Sequence, residues 1–141
     1  QVHVADYGRA LEDFTVGDVY EHRPGRTITQ ADNIQFSLLT MNRHPVHCDA
    51  AYSANSEFGQ ELVNSTLTLA VVTGLTVDDV SAKAIANLGW DGIKLTAPVF
   101  VGDTLYARTT PPVIRSRIRR WRVCRHLAIR ARCRSSAWPP S

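Results

Sequence analysis

Residues 62–77 read LVNSTLTLAVVTGLTV, an apolar run interrupted by small polar residues and one glycine. It is shorter than the roughly 20 residues needed to cross a bilayer, so it predicts a helix over 64–79 that a soluble chain has to bury on nearly all sides. A helix of that kind needs a surrounding layer, and the flanking segments supply one. Residues 14–23, FTVGDVYEHR, alternate as a short strand, and PGR at 24–26 then predicts a turn. After the helix, residues 83–99 (KAIANLGWDGIKLTAPV) and 103–110 (DTLYARTT) are strand-like and are joined by the turn sequence PVFVGD. The expected fold is therefore α+β, an antiparallel sheet wrapped around a long central helix. A chain of 141 residues fits one such domain.

Two shorter helices precede the central one. Thr29 is an N-cap candidate with Asp32 three residues on, and Ala31, Ile34 and Leu38 follow at helical spacing. DAAYSANSEFG at 49–59 predicts a second short helix capped by Asp49 and closed by Gly59. There is no internal repeat and no linker before Thr110.

Charge divides the chain at that point. Residues 111–141 contain nine arginines, no lysine and no acid, which leaves 7 of the 16 basic residues to face all 13 acids in residues 1–110. The body is acidic, and the formal net charge of +3 belongs to the tail. Net charge is thus no argument for a nucleic-acid partner of the body. The opening QVHVADYGRALEDF lacks a basic and apolar leader pattern. Cys48, Cys124 and Cys133 are odd in number and without metal-ligand spacing, which predicts free thiols in a reducing, cytoplasmic setting with no membrane span.

The richest chemistry lies in residues 38–53, LLTMNRHPVHCDAAYS. On these residues alone several readings stand together. His47 is either a proton-transfer group or an ordinary, partly buried histidine. His44, His47, Cys48 and Asp49 resemble a zinc set, but Pro45 spoils a helical His pair and no second ligand pair follows. Asp49 is a cap or a catalytic acid. Asn64 and Ser65 cap the central helix or serve a ligand, and Arg26 and Arg43 are solvated charges or phosphate partners.

Four blocks, LEDFTVGDVYEHRPGRTIT, LLTMNRHPVHCDAAYS, LVNSTLTLAVVTGL and PVFVGDTLYA, resemble in order and spacing the MaoC-like dehydratases, single-domain hot-dog proteins that hydrate enoyl-CoA thioesters. The resemblance covers about residues 10–109. Its signature reads Gly-Asp-x-Asn-Pro-Leu-His in the family, with Asp and His as the catalytic pair. The aligned residues here run from Met41 to His47, so His47 is retained and Asn42 stands where the Asp is expected. This variant is similar to the mesaconyl-CoA hydratase type.

The resemblance implies a reversible hydratase of a CoA-linked acyl thioester, with a branched or dicarboxylic acyl group such as mesaconyl-CoA or methylmalyl-CoA preferred. It implies no metal or redox cofactor, CoA entering only as part of the substrate, and a homodimer. Hydration needs one group to take a proton from water, a group to protonate the α-carbon, and donors for the thioester oxygen. His47 suits the proton transfers. A carboxamide at Asn42 orients water without taking its proton, so base duty falls on His47 or on a nearby acid, Asp49 or Asp32. The oxyanion donor is expected from the start of the central helix, at Asn64, Ser65 and Thr66, with Arg43 as a CoA contact. A hot-dog thioesterase and a non-catalytic acyl-CoA-binding homologue are the alternatives.

In such proteins the strand begun at DTLYA continues into two further strands. Here it meets PPVIRSRIRRWRVCRHLAIRARCRSSAWPPS, a composition that GC-rich coding sequence yields when translated out of frame. The expectation is a hot-dog domain over 1–110, with its sheet incomplete at the C-terminus, and a frameshifted, irregularly packed tail over 111–141. The rival reading is an authentic basic arm for nucleic acid or acidic lipid.

Overall fold

The structure is a computed structural model that describes residues 7–87, 89, 90 and 92–111, with the backbone of residues 128 and 129. Three strands, β1 (Tyr20–Thr27), β2 (Thr104–Thr110) and β3 (Ala128–Ile129), form one antiparallel sheet in the order β1-β2-β3. Three helices, α1 (Gln30–Leu39), α2 (Ala50–Ala54) and α3 (Ser65–Leu75), lie between β1 and β2 in the chain. The architecture is α+β, as expected.

The helix starts follow local chemistry. Thr29 caps α1 through a reciprocal box: its hydroxyl accepts from the Asp32 amide at 3.2 Å and its own amide donates to the Asp32 carboxylate at 2.8 Å. The Asp49 carboxylate accepts from the Tyr52 amide at 2.9 Å and starts α2, which ends at Asn55 rather than running on to Gly59. The Asn64 carboxamide oxygen accepts from the Thr66 amide at 3.0 Å and starts α3.

α3 rests on β1 and β2. Ile28, Val63, Leu67, Val72, Leu105 and Ala107 form the core, with Phe36, Val71 and Leu75 packed around it. The helix is shorter than the span 64–79 and is not buried all round. It closes at Thr76, after which Val77–Ser81 widen into a π turn bearing Asp78 and Asp79. Leu67, Thr68 and Val72 are buried, whereas Ala70 and Gly74 are exposed. Among the described residues the sheet covers one flank of the helix, which leaves the other to solvent.

Two further expectations are corrected. PGR is no turn: Arg23, Pro24 and Gly25 form a bulge inside β1, because His22 pairs with Ala107 and Arg26 with Leu105, so that three residues stand opposite Tyr106. A Cβ on Gly25 would strike the Tyr106 ring and stand 2.9 Å from the Leu105 carbonyl, which is why this position takes glycine. Residues 83–99 form no strand among those described. Gly89 and Gly92 adopt positive φ, and Ile85, Trp90, Ile93 and Leu95 are exposed, so the alternating pattern there finds no ladder. The segment ends in the expected turn: the Gly102 amide donates to the Ile28 carbonyl at 2.8 Å, and the Asp103 carboxylate accepts from the Phe100 amide at 2.8 Å.

The structure expected of the tail falls outside the described residues, apart from the pairing of Thr109 with Ile129 and Thr110 with Ala128.

Candidate active site

His47 ends a short 3-10 turn, Pro45–His47, and is buried. Its Nδ1 lies 2.8 Å from the carbonyl oxygen of Leu62. A carbonyl can only accept, so Nδ1 carries the proton and the neutral ring keeps its lone pair on Nε2. That is the tautomer a proton acceptor needs.

The ring is held by a polar core that the apolar spacing of α1 did not predict. Asn33, fully buried, donates from its carboxamide to the carbonyls of His47 at 2.9 Å and of Leu62 at 3.1 Å, and its oxygen accepts from the Asn64 amide at 2.8 Å. Asn64 in turn donates to the Ser37 hydroxyl at 3.2 Å. Asn33 and Ser37, four residues apart, are the buried stripe of α1, while Ala31 and Leu38 of the expected apolar face are exposed. The available signal was the pairing of Asn33 and Ser37 at helical spacing, which reads as a surface stripe until the site above it is known.

The remaining sequence candidates separate. Asn42 is partly buried, and its Oδ1 accepts from the His44 amide at 3.1 Å, an Asx turn that shapes the loop entering the 3-10 turn. Met41, just before it, has φ 60°. The His44 Nδ1 accepts from the Val46 amide at 3.2 Å, and its ring centroid lies 6.1 Å from that of His47. Asp49 is exposed and occupied as the α2 cap. Asp32 is occupied by Thr29 and by Arg26, whose guanidinium stands 2.9 Å from it. The Thr29 amide and hydroxyl, and then Arg26, hold the Asp32 carboxyl below its ordinary value despite some desolvation. Arg43 is exposed. Among the described residues no three His, Cys, Asp or Glu side chains gather as a metal site.

Of the three amides at the start of α3, that of Asn64 donates to Asn33 and that of Thr66 to Asn64. Among the described residues the Ser65 amide, at the first helical position, makes no hydrogen bond, which makes it the candidate donor for an incoming oxygen. A cleft of about 330 Å³ opens beside it, lined by Phe58, Leu62, Ser65, Thr68 and the 95–99 segment. A larger cleft of about 620 Å³ lies at the other end of α3, along the β1 bulge. There His22 is buried, with Nε2 2.8 Å from the Thr109 hydroxyl and Nδ1 3.6 Å from the Asp79 carboxylate, which Arg9 also meets at 2.7 Å.

The MaoC like domain matches residues 13–120, most of the chain and past the boundary drawn at Thr110. The chain belongs to the MaoC-like domain family. A beta-methylmalyl-CoA dehydratase of Chloroflexus aurantiacus is 36% identical to this MaoC-like chain over 107 residues, covering 76% of it and 30% of the relative. A mesaconyl-CoA hydratase of Cereibacter sphaeroides is 31% identical over 103 residues, covering 73% and 30%. The chain thus spans about 30% of the length of these curated relatives. Among solved structures, a monoamine oxidase regulatory protein from Archaeoglobus fulgidus superposes with a TM-score of 0.64 at 26% identity, covering 77% of this chain and 73% of that one. The (R)-hydratase from A. caviae shares the fold with a TM-score of 0.66 at 24% identity, covering 75% and 78%. These neighbours place the MaoC-like chain among hot-dog proteins.

Proposed function

We propose that this MaoC-like domain carries the reversible hydration of an enoyl-CoA thioester, with His47 as the group that moves protons. The observation that carries the reading is the 2.8 Å bond from His47 Nδ1 to the Leu62 carbonyl, which presents Nε2 as a base at the family's signature position. Nε2 takes a proton from water as the oxygen adds to the β-carbon. The electron pair of the double bond moves toward the thioester oxygen, which the Ser65 amide at the α3 N-terminus stabilises. The imidazolium then returns the proton to the α-carbon, and the reverse sequence dehydrates the 3-hydroxyacyl ester.

Asn42 orients the water through its carboxamide NH2, since its oxygen is engaged by His44. The capping bonds of Asp49 and Asp32 favour leaving base duty with His47. Arg43, exposed beside the site, is our candidate for the phosphates of CoA.

The functional unit we propose is a hot-dog domain over residues 1–110, its sheet wrapped around the central helix and incomplete at the C-terminus, acting as a homodimer without metal or redox cofactor. Residues 111–141 are, on this reading, a frameshifted segment, and an acidic, Val- and Gly-containing continuation from Thr110 in another frame of the coding region is its expected signature. The free, exposed thiol of Cys48 fits a reducing, cytoplasmic setting, and no described helix is long and apolar enough to cross a membrane.

Incubation of the purified chain with crotonyl-CoA separates the readings. Hydration removes the enoyl absorbance, a thioesterase releases free thiol, and a binding protein does neither. His47→Ala is expected to lower hydration on the order of 10²–10⁴-fold while the protein still folds; near-normal hydration by that variant refutes the assignment.

A further inference from the structure

We infer that His44 reads the substituent on the β-carbon of the acyl chain and selects a carboxylate there over an alkyl group. The inference rests on the acyl-CoA reading above and adds to it a residue that sets the substrate class. The family signature has Asn where His44 stands, so the imidazole is a feature of this chain.

The two histidines of the signature loop are held in opposite tautomers. His44 Nδ1 lies 3.2 Å from the Val46 amide, which can only donate. The neutral His44 ring therefore carries its proton on Nε2, the nitrogen farther from the main chain. His47 has its proton on Nδ1, facing the Leu62 carbonyl, and a lone pair on Nε2. The two ring centroids are 6.1 Å apart, and the Tyr52 ring packs edge-on against His44 at the same distance. An amide and two rings thus hold an exposed imidazole in place.

A separation of 6.1 Å is about two hydrogen bonds laid end to end, so two groups borne by one carbon can reach both rings. In hydration that carbon is β: it receives the oxygen that His47 deprotonates, and its other substituent falls to His44. In this tautomer Nε2 only donates. A carboxylate on the β-carbon gives it a charge-assisted partner. An alkyl group covers an N–H that water solvates in the free protein and offers no acceptor in return. Asn at this position serves the same Val46 amide through a shorter carboxamide and does not extend a donor as far.

Calorimetric titration of the full chain with CoA, butyryl-CoA and succinyl-CoA tests this apart from turnover. Neither acyl ester has a double bond to hydrate, and the two differ in bearing a methyl or a carboxylate on the β-carbon. Succinyl-CoA is expected to bind on the order of tenfold tighter than butyryl-CoA, the strength of one hydrogen bond to a charged group. His44→Asn keeps an acceptor for the Val46 amide and is expected to abolish the gap, read against that variant's own affinity for CoA. His44→Gln, whose amide nitrogen reaches where Nε2 stood, is expected to retain most of it. Butyryl-CoA binding as tightly as succinyl-CoA overturns the inference, as does a gap that survives His44→Asn. A gap that Arg43→Ala removes and His44→Asn does not likewise overturns it and passes the role to the neighbouring guanidinium. A gap that depends on His44 in a chain that hydrates nothing leaves His44 assigned and removes only the hydratase reading.

Discussion

Asn33, fully buried, donates to the backbone carbonyl of His47 at 2.9 Å, so α1 and the 3-10 turn that carries His47 are joined by one carboxamide. The same side chain serves Leu62 and Asn64. Asn33→Leu keeps the volume and removes two donors and an acceptor. We expect it to destabilise the fold by about 2–4 kcal/mol, the penalty for stranding buried backbone groups, and to lower hydration in the fraction that stays folded because Leu62 no longer holds the imidazole in place. Urea unfolding and turnover measured side by side check both effects. An unchanged denaturation midpoint would show that these carbonyls find other partners.

Asn42→Asp tests the departure from the family signature without disturbing the loop. The Asn42 oxygen that accepts from the His44 amide at 3.1 Å has a direct counterpart in a carboxylate, so the Asx turn persists. The variant is expected to keep or raise hydration, read as kcat/KM on crotonyl-CoA. Complete loss would mean that the carboxamide NH2 has a role that a charge cannot fill.

Thr29→Ala removes the hydroxyl that caps α1 and leaves the Asp32 amide without its side-chain acceptor. A loss of about 1 kcal/mol is expected from thermal or urea unfolding, with turnover changed little, because the 2.8 Å His47 to Leu62 bond lies outside the cap. A loss of turnover far exceeding the loss of stability would place the start of α1 in the active site.

The pH dependence of stability should carry the signature of His22. Burial holds its imidazole below the ordinary value of 6.5, with Asp79 acting against that shift and Arg9 adding to it. A histidine that protonates more readily unfolded than folded stabilises the fold above about pH 6.5, and the stabilisation is lost as pH falls through that value toward the depressed folded one. Unfolding free energy is therefore expected to drop between about pH 7 and pH 5, and His22→Gln is expected to flatten that slope. A slope that the substitution leaves unchanged would assign it to other groups.

Local chemistry was legible and tertiary chemistry was not. The Thr29 and Asp32 box, the Asp49 and Asn64 caps and the turn at Gly102 each depend on residues within a few positions of one another, so a linear reading finds them. Asn33 escaped because what buries it, His47 and Leu62, lies 14 and 29 residues away. PGR reads as a turn until Tyr106 stands opposite it. The Ala31, Ile34 and Leu38 spacing correctly marked a helix and named the wrong face, because the stripe turned inward is Asn33 and Ser37, whose partners are polar.

The bulge at Arg23, Pro24 and Gly25 also bears on how the chain behaves in a crowded solution. β1 is an outer strand of the described sheet, and an outer strand with regular, unpaired amides invites another chain to extend it. Pro24 has no amide to offer, the two-residue rhythm fails beside it, and the exposed guanidiniums of Arg23 and Arg26 flank the interruption. A would-be invading strand meets a broken template edged by two ion-paired guanidiniums, so this margin of the sheet is a poor start for fibrous stacking.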